Sequence, residues 1–128
     1  MSFETLVQEA VLAALGAVEG TNGVFLERPA RASTPYLVLA DLQSSDWGAK
    51  GADGRELRLT VRVHDAGESW ARTAALQGAV ARAIEGLPRT IGGWSVGSVV
   101  LVRARTLRDG ARGWLGTVEM RVRGMEVS

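Results

Sequence analysis

The sequence predicts an α+β domain in which two helices pack on one face of a mainly antiparallel sheet of four to five strands, with a long loop between two strands. Three observations lead there. Apolar residues recur at helical spacing in two stretches, near the N-terminus and in the middle of the chain, and alternate at strand spacing between and after them. Asp109-Gly110 lies between the last two alternating stretches as a turn signal, which makes them a hairpin. A length of 128 residues, 46% apolar and 23% charged, suffices for one core of two layers, so residues 1–128 read as a single domain.

The first helix is expected over about Ser2 to Val18, where Phe3, Leu6, Val7, Ala10, Ala14 and Val18 form an apolar stripe and Gly16, Gly20 and Gly23 weaken and stop it. Val24-Phe25-Leu26 reads as a short strand, followed by a turn segment around Pro29, Ser33, Thr34 and Pro35. Tyr36 to Leu42 is apolar at both parities, the pattern of a strand buried on both faces. Gln43 to Gly54 holds two serines, two aspartates, three glycines and one aromatic, Trp47, and is read as either a binding loop or a long hairpin extension.

From Glu56 to His64 the alternation is clean: Leu57, Leu59, Val61 and Val63 on one face, and Glu56, Arg58, Thr60, Arg62 and His64 on the other. Asp65 with Glu68 has the spacing of a capping box for a helix running from Trp70 to Leu87, with Thr73, Leu76, Val80, Ile84 and Leu87 inward and alanines keeping it slim. Gly86 and Pro88 end it. Val96 to Leu107 and Trp114 to Arg123 are the closing strands, the second with Trp114, Val118, Met120 and Val122 toward the core. Trp70 and Trp114 are expected in the core or at its edge, and Trp94 at a strand start.

Without cysteine there are no disulfides, zinc thiolates, iron–sulfur clusters or thiol nucleophiles, and one histidine cannot make a multi-histidine metal site within one chain. His64 with Asp65 is better explained by a strand face and a helix cap than by catalysis, since no nucleophile elbow or phosphate-loop pattern accompanies the pair. Gly51-Ala52-Asp53-Gly54 lacks the alternating oxygen ligands of a calcium loop. The residues therefore point to no enzyme and no cofactor. No apolar run is long enough to span a bilayer, and the acidic start Met1-Ser2-Phe3-Glu4 is not that of a secretory signal, so no membrane partner is expected.

The formal charge is only +1, but residues 1–50 carry three basic and six acidic groups while residues 101–128 carry six and three. Arg55, Arg58 and Arg62 are expected to point one way from one strand, with Arg103, Arg105, Arg121 and Arg123 as a second rank on the closing hairpin. Glu56 and Glu119 stand among them and aromatic platforms are scarce, so arginine facing an acidic surface of a neighbouring subunit is preferred over direct DNA binding. Trp47, a large aromatic in a polar loop, joins these arginines as a candidate contact residue.

Pro35-Tyr36-Leu37-Val38 opening a strand, Asp46-Trp47 in a loop, the strand Glu56–Val63 and then an alanine-rich helix together resemble the tail-terminator or tail-completion proteins of long-tailed bacteriophages and gene transfer agents. The resemblance runs from the first helix to near Arg123 and rests on combined spacing. It departs at His64, where the family usually has an aromatic, often tryptophan. What it implies is a structural virion protein: a homo-oligomeric ring, six subunits in number, capping the tail tube protein, ending tail polymerisation and joining the tail to the head–tail connector or adaptor. Such a protein is made in the bacterial cytoplasm and sits at the head-proximal end of the tail. Another head–tail adaptor or neck protein, and less favourably a small nucleic-acid-binding module, are the alternatives.

Overall fold

A computed structural model describes residues 1–127. The elements run α1 (Phe3–Gly16), β1 (Val24–Phe25), β2 (Tyr36–Asp46), β3 (Gly54–Ala66), α2 (Ala71–Glu85), β4 (Thr90–Ile91), β5 (Trp94–Asp109) and β6 (Gly113–Glu126). They form one six-stranded sheet in the order β1-β2-β3-β6-β5-β4. The expectation of four to five strands falls short because β4 is a two-residue pairing with the start of β5, too short to leave a periodic signal. Among the described residues only β1 against β2 is parallel.

Of the two readings of the long segment from Gln43 to Gly54, the hairpin extension is the one found. The β2–β3 ladder continues to Asp46 opposite Arg55, leaving residues 47–53 as its tip. The tip is closed by the Trp47 amide donating to the Gly54 carbonyl at 3.1 Å and by an Ala49–Ala52 bridge. β2 is buried at consecutive positions only over Tyr36–Leu39; a bulge between Leu39 and Asp41 then re-phases the strand.

Both helices cover the face of the sheet that presents Leu57, Leu59, Val61 and Val63 from β3 and Val118, Met120 and Val122 from β6, all fully buried. In α1 the Ser2 side chain accepts from the Thr5 amide at 3.1 Å as N-cap. Its deepest row is Phe3, Val7, Val11 and Leu15, spaced by four; Leu6, Ala10, Ala14 and Val18 are only partly buried beside it. The stripe read from the sequence is thus rotated by about one residue, because Val11 and Leu15 are the larger side chains and take the deeper positions. Phe3 stacks on Trp94 at 4.6 Å between centroids, and a Cβ on Gly124 would strike the Phe3 ring.

α2 starts later than expected and without the capping box. Asp65 is the penultimate residue of β3 and is buried. Its carboxylate accepts from Arg72 Nε at 2.9 Å, from Arg72 Nη2 and from the Thr73 hydroxyl at 3.3 Å, so it clamps the end of β3 to α2. The helix start is served instead by the Ser69 hydroxyl, which accepts from the Ala71 amide at 3.1 Å. Inward from α2, Leu76, Val80 and Ile84 reach the core. Gln77 ties the helix to the closing hairpin: its Nε2 donates to the carbonyls of Arg105 at 2.7 Å and Thr117 at 3.1 Å, and its Oε1 accepts from the Thr106 hydroxyl at 2.7 Å. A Cβ on Gly116 would approach Gln77 to 2.6 Å, so glycine there makes room for the tie.

Candidate assembly interface

Among the described residues no helix covers the opposite face of the sheet. Pairing across β2, β3, β6 and β5 arranges that face in rows: Ser45, Glu56, Arg123 and Ser98; then Gln43, Arg58, Arg121 and Val100; then Asp41, Thr60, Glu119 and Arg103; then Val38, Arg62, Thr117 and Arg105; and finally Tyr36, His64, Leu115 and Leu107. Two glutamates cross-link the first three rows. Glu56 lies 2.9 Å from Arg123 and 3.8 Å from Arg121, while Glu119 lies 3.7 Å from Arg103 and 3.9 Å from Arg58. Arg62 and Arg105, in the fourth row, have no carboxylate within ion-pair distance among the described residues.

The structure therefore brings together six of the seven arginines singled out from the sequence. Arg55 is the exception. It shares the parity of Leu57, so it lies on the helix side, with its Nε 3.6 Å from Glu4 of α1 and its Nη1 3.4 Å from Asp46. The Ser44 hydroxyl donates to the same Glu4 carboxylate at 2.5 Å. That bond, Glu4's own amide and the nearby Arg55 charge hold the Glu4 carboxyl below the usual carboxylate range against the opposing effect of burial. Arg55 thus pins α1 to the β2–β3 hairpin.

Trp47, at the hairpin tip, is 40% exposed, and the Arg123 guanidinium lies 5.1 Å from its ring centroid. It is joined to the arginine face through that contact while keeping free surface. Trp70 corrects the expectation of a core residue: it is 58% exposed just before α2 and lies 6.5 Å from Trp114. Trp114 is half-buried, donates to the Gly67 carbonyl at 3.0 Å and carries Arg108 over its ring at 4.3 Å.

His64 and Asp65 are both buried, but they serve different neighbours. His64 stacks on Tyr36 at 4.9 Å, and Tyr36 oxygen accepts from Arg28 Nε at 3.2 Å. Burial and the Arg28 and Arg62 charges push the imidazole pKa down despite Asp109, so it is neutral near pH 7. Burial also works to raise the Asp65 carboxyl, yet the Arg72 hydrogen bond, the Ala66 amide, the Arg72 charge and Thr73 together bring it below the usual range. Among the described residues His64 Nδ1 is buried without a hydrogen-bond partner, and no group of three or more potential metal ligands occurs. A cleft of about 540 Å³ between the end of α1 and α2 is lined by Ala14, Ala17, Val18, Ala79 and Ala83 together with Glu19 and Arg82. No helix among the described residues is long and apolar enough to cross a membrane.

Sequence reasoning missed one surface. Val100, Leu101, Val102 and Leu107, all on β5, are exposed, Leu101 by 42%. The signal was present: four consecutive apolar residues, Val99 to Val102, are apolar at both parities, a pattern that asks for cover on both faces.

A family-level comparison matches residues 5–123 to the family described as tail completion protein gp17. Among solved structures, one similar chain belongs to the virion of a native gene transfer agent particle; it superposes with a TM-score of 0.72 at 17% sequence identity, over 97% of this chain and 95% of that chain. That likeness is one of fold. A comparison with curated proteins finds no match.

Proposed function

The chain belongs to the tail completion protein gp17 family, and from that premise we propose that six copies form a ring that caps the tail tube, ends its polymerisation and joins the tail to the head–tail connector or adaptor. As a member of the family it is a structural component of a phage or phage-like tail, and its work is assembly rather than catalysis. The family match over residues 5–123 carries the reading.

The surface chemistry supports it. Arg58, Arg62, Arg103, Arg105, Arg121 and Arg123 share one uncovered sheet face on which Glu56 and Glu119 neutralise only part of the charge. Such a face suits an acidic surface on a neighbouring ring, and Trp47 beside Arg123 adds an aromatic anchor at its rim. Arg55, engaged with Glu4 and Asp46 within the protomer, contributes by holding the hairpin that presents Trp47.

The test is attachment to tails. Tubes that lack this chain should acquire it at one end only and stop growing. Arg62→Glu and Arg105→Glu, which break no internal ion pair, should each weaken attachment at least tenfold with thermal unfolding unchanged. Normal tail joining in both variants, together with tight, salt-sensitive duplex binding by the parent, would instead favour a nucleic-acid contact.

A further inference from the structure

The sheet ends in two uncovered edges. On one side β1 pairs only with Leu37 and Val38, leaving the outer edge of β2 free from Leu39 to Asp46. On the other, β4 pairs only with Trp94 and Ser95, leaving β5 free from Gly97 to Asp109. Exposed edges of this length invite pairing with another strand. Both short strands sit at the beginning of the longer strand they cover, and β2 and β5 run in opposite directions, so the two covers lie at opposite ends of the sheet.

The edges also differ in chemistry. The free part of β2 carries Asp41 and Asp46 and no basic residue; the free part of β5 carries Arg103, Arg105 and Arg108 against one acid, Asp109. β5 further exposes Val100, Leu101, Val102 and Leu107, an apolar load that a solvent-facing edge strand ordinarily lacks.

We propose that the free edge of β5 pairs with the free edge of β2 in a second copy of this chain, so that one sheet continues from protomer to protomer. Direction supports this. The long strands β2, β3, β6 and β5 alternate in sense and are even in number, so a second protomer set beside the first in the same orientation meets β5 antiparallel. A register with Arg103 opposite Asp41, carried across the bulge in each strand so that opposed residues share a face, runs from Ser98 facing Ser45 to Ala104 facing Leu39, and stays clear of both β4 and the neighbour's β1. The contact joins two different edges, so repetition closes a ring or grows a filament. The inference rests on the ring reading above and names the surfaces that would make it.

The absence of cysteine makes the test direct. Asp41→Cys would be combined in turn with Leu101→Cys, Arg103→Cys or Arg105→Cys, and each double variant oxidised after assembly on tail tubes. Within one chain β3 and β6 intervene, so Asp41 and Arg103 stand roughly 14 Å apart at about 4.8 Å per strand, outside the ~7 Å Cα reach of a disulfide. Only bonds between chains can form. At least one pair should give covalent multimers up to the full ring, while every single variant stops at dimers. Amide exchange of the unmodified chain provides a second measurement, with protection at alternate residues of 39–46 and 97–109 rising at least tenfold on assembly. Rings that form without multimers from any pair and without new protection would overturn the edge pairing and leave the ring reading intact. A chain that forms no ring on tubes or free in solution would overturn both.

Discussion

β3 and β5 are both long, apolar-rich strands of the same sheet, yet every apolar side chain of β3 from Leu57 to Val63 is fully buried and most of those in the second half of β5 are exposed. The difference is position. β3 has β2 on one side, β6 on the other and helices above; β5 has β6 on one side and almost nothing on the other. Burial is therefore concentrated around β3 and β6, whereas β5 and the arginine face keep uncovered surface, which is where assembly is proposed to act. Substitutions should divide accordingly.

The largest effect on folding is expected from Leu59→Ala, which deletes a fully buried side chain and should cost about 2–5 kcal/mol in urea unfolding. A loss below ~1 kcal/mol would mean that β3 is not the centre of the core. Next comes Asp65→Asn, which keeps the shape but removes the charge that holds Arg72; about 1–3 kcal/mol is expected. Both this clamp and His64 act in the same sense with pH. The folded Asp65 carboxyl is below its unfolded value, so its contribution is present above the unfolded pKa near 4 and is lost as pH falls toward the folded value. The folded imidazole is also depressed, so the unfolded chain gains its proton first and stability falls as pH drops through about 6.5. His64→Phe should flatten the unfolding profile between about pH 7 and 5 and leave the decline near pH 4 in place. An unchanged profile would show that His64 does not titrate there.

The strand pattern of β3 and the hairpin at Asp109-Gly110 were legible because alternation and turn chemistry are local properties. The apolar run Val99 to Val102 signals two faces that need cover, but a sequence does not record which strand ends at an edge, so the exposure of Val100 to Val102 came with the strand order. Arg55 lies on the helix side and not with Arg58 and Arg62, as its shared parity with Leu57 requires. Asp65 and Glu68 had the spacing of a capping box, but β3 runs on to Ala66 and Asp65 finds Arg72 instead, a pairing between two elements that local spacing cannot anticipate. Of the candidate contact residues, the six arginines of the outer face were identified by alternation, and the β5 edge was not.

Smaller folding effects are expected where assembly should suffer most. Trp47→Ala gives up a half-exposed ring and its contact with Arg123, about 0.5–1 kcal/mol, and should still impair tail attachment. A loss of several kcal/mol would make Trp47 a structural residue. Smallest of all, Leu101→Ser on β5 should stay within about 0.5 kcal/mol of the parent in unfolding while lowering ring formation at least tenfold. Equal damage to folding and to assembly would erase the distinction between β5 and β3.

The decisive measurement of tube capping is imaging of tail tubes before and after addition of this chain, with native mass measurement of the material bound. A six-subunit ring is expected at one end of each tube, with no further elongation from that end. Tubes that keep growing with bare ends, beside a chain that remains monomeric, would contradict it.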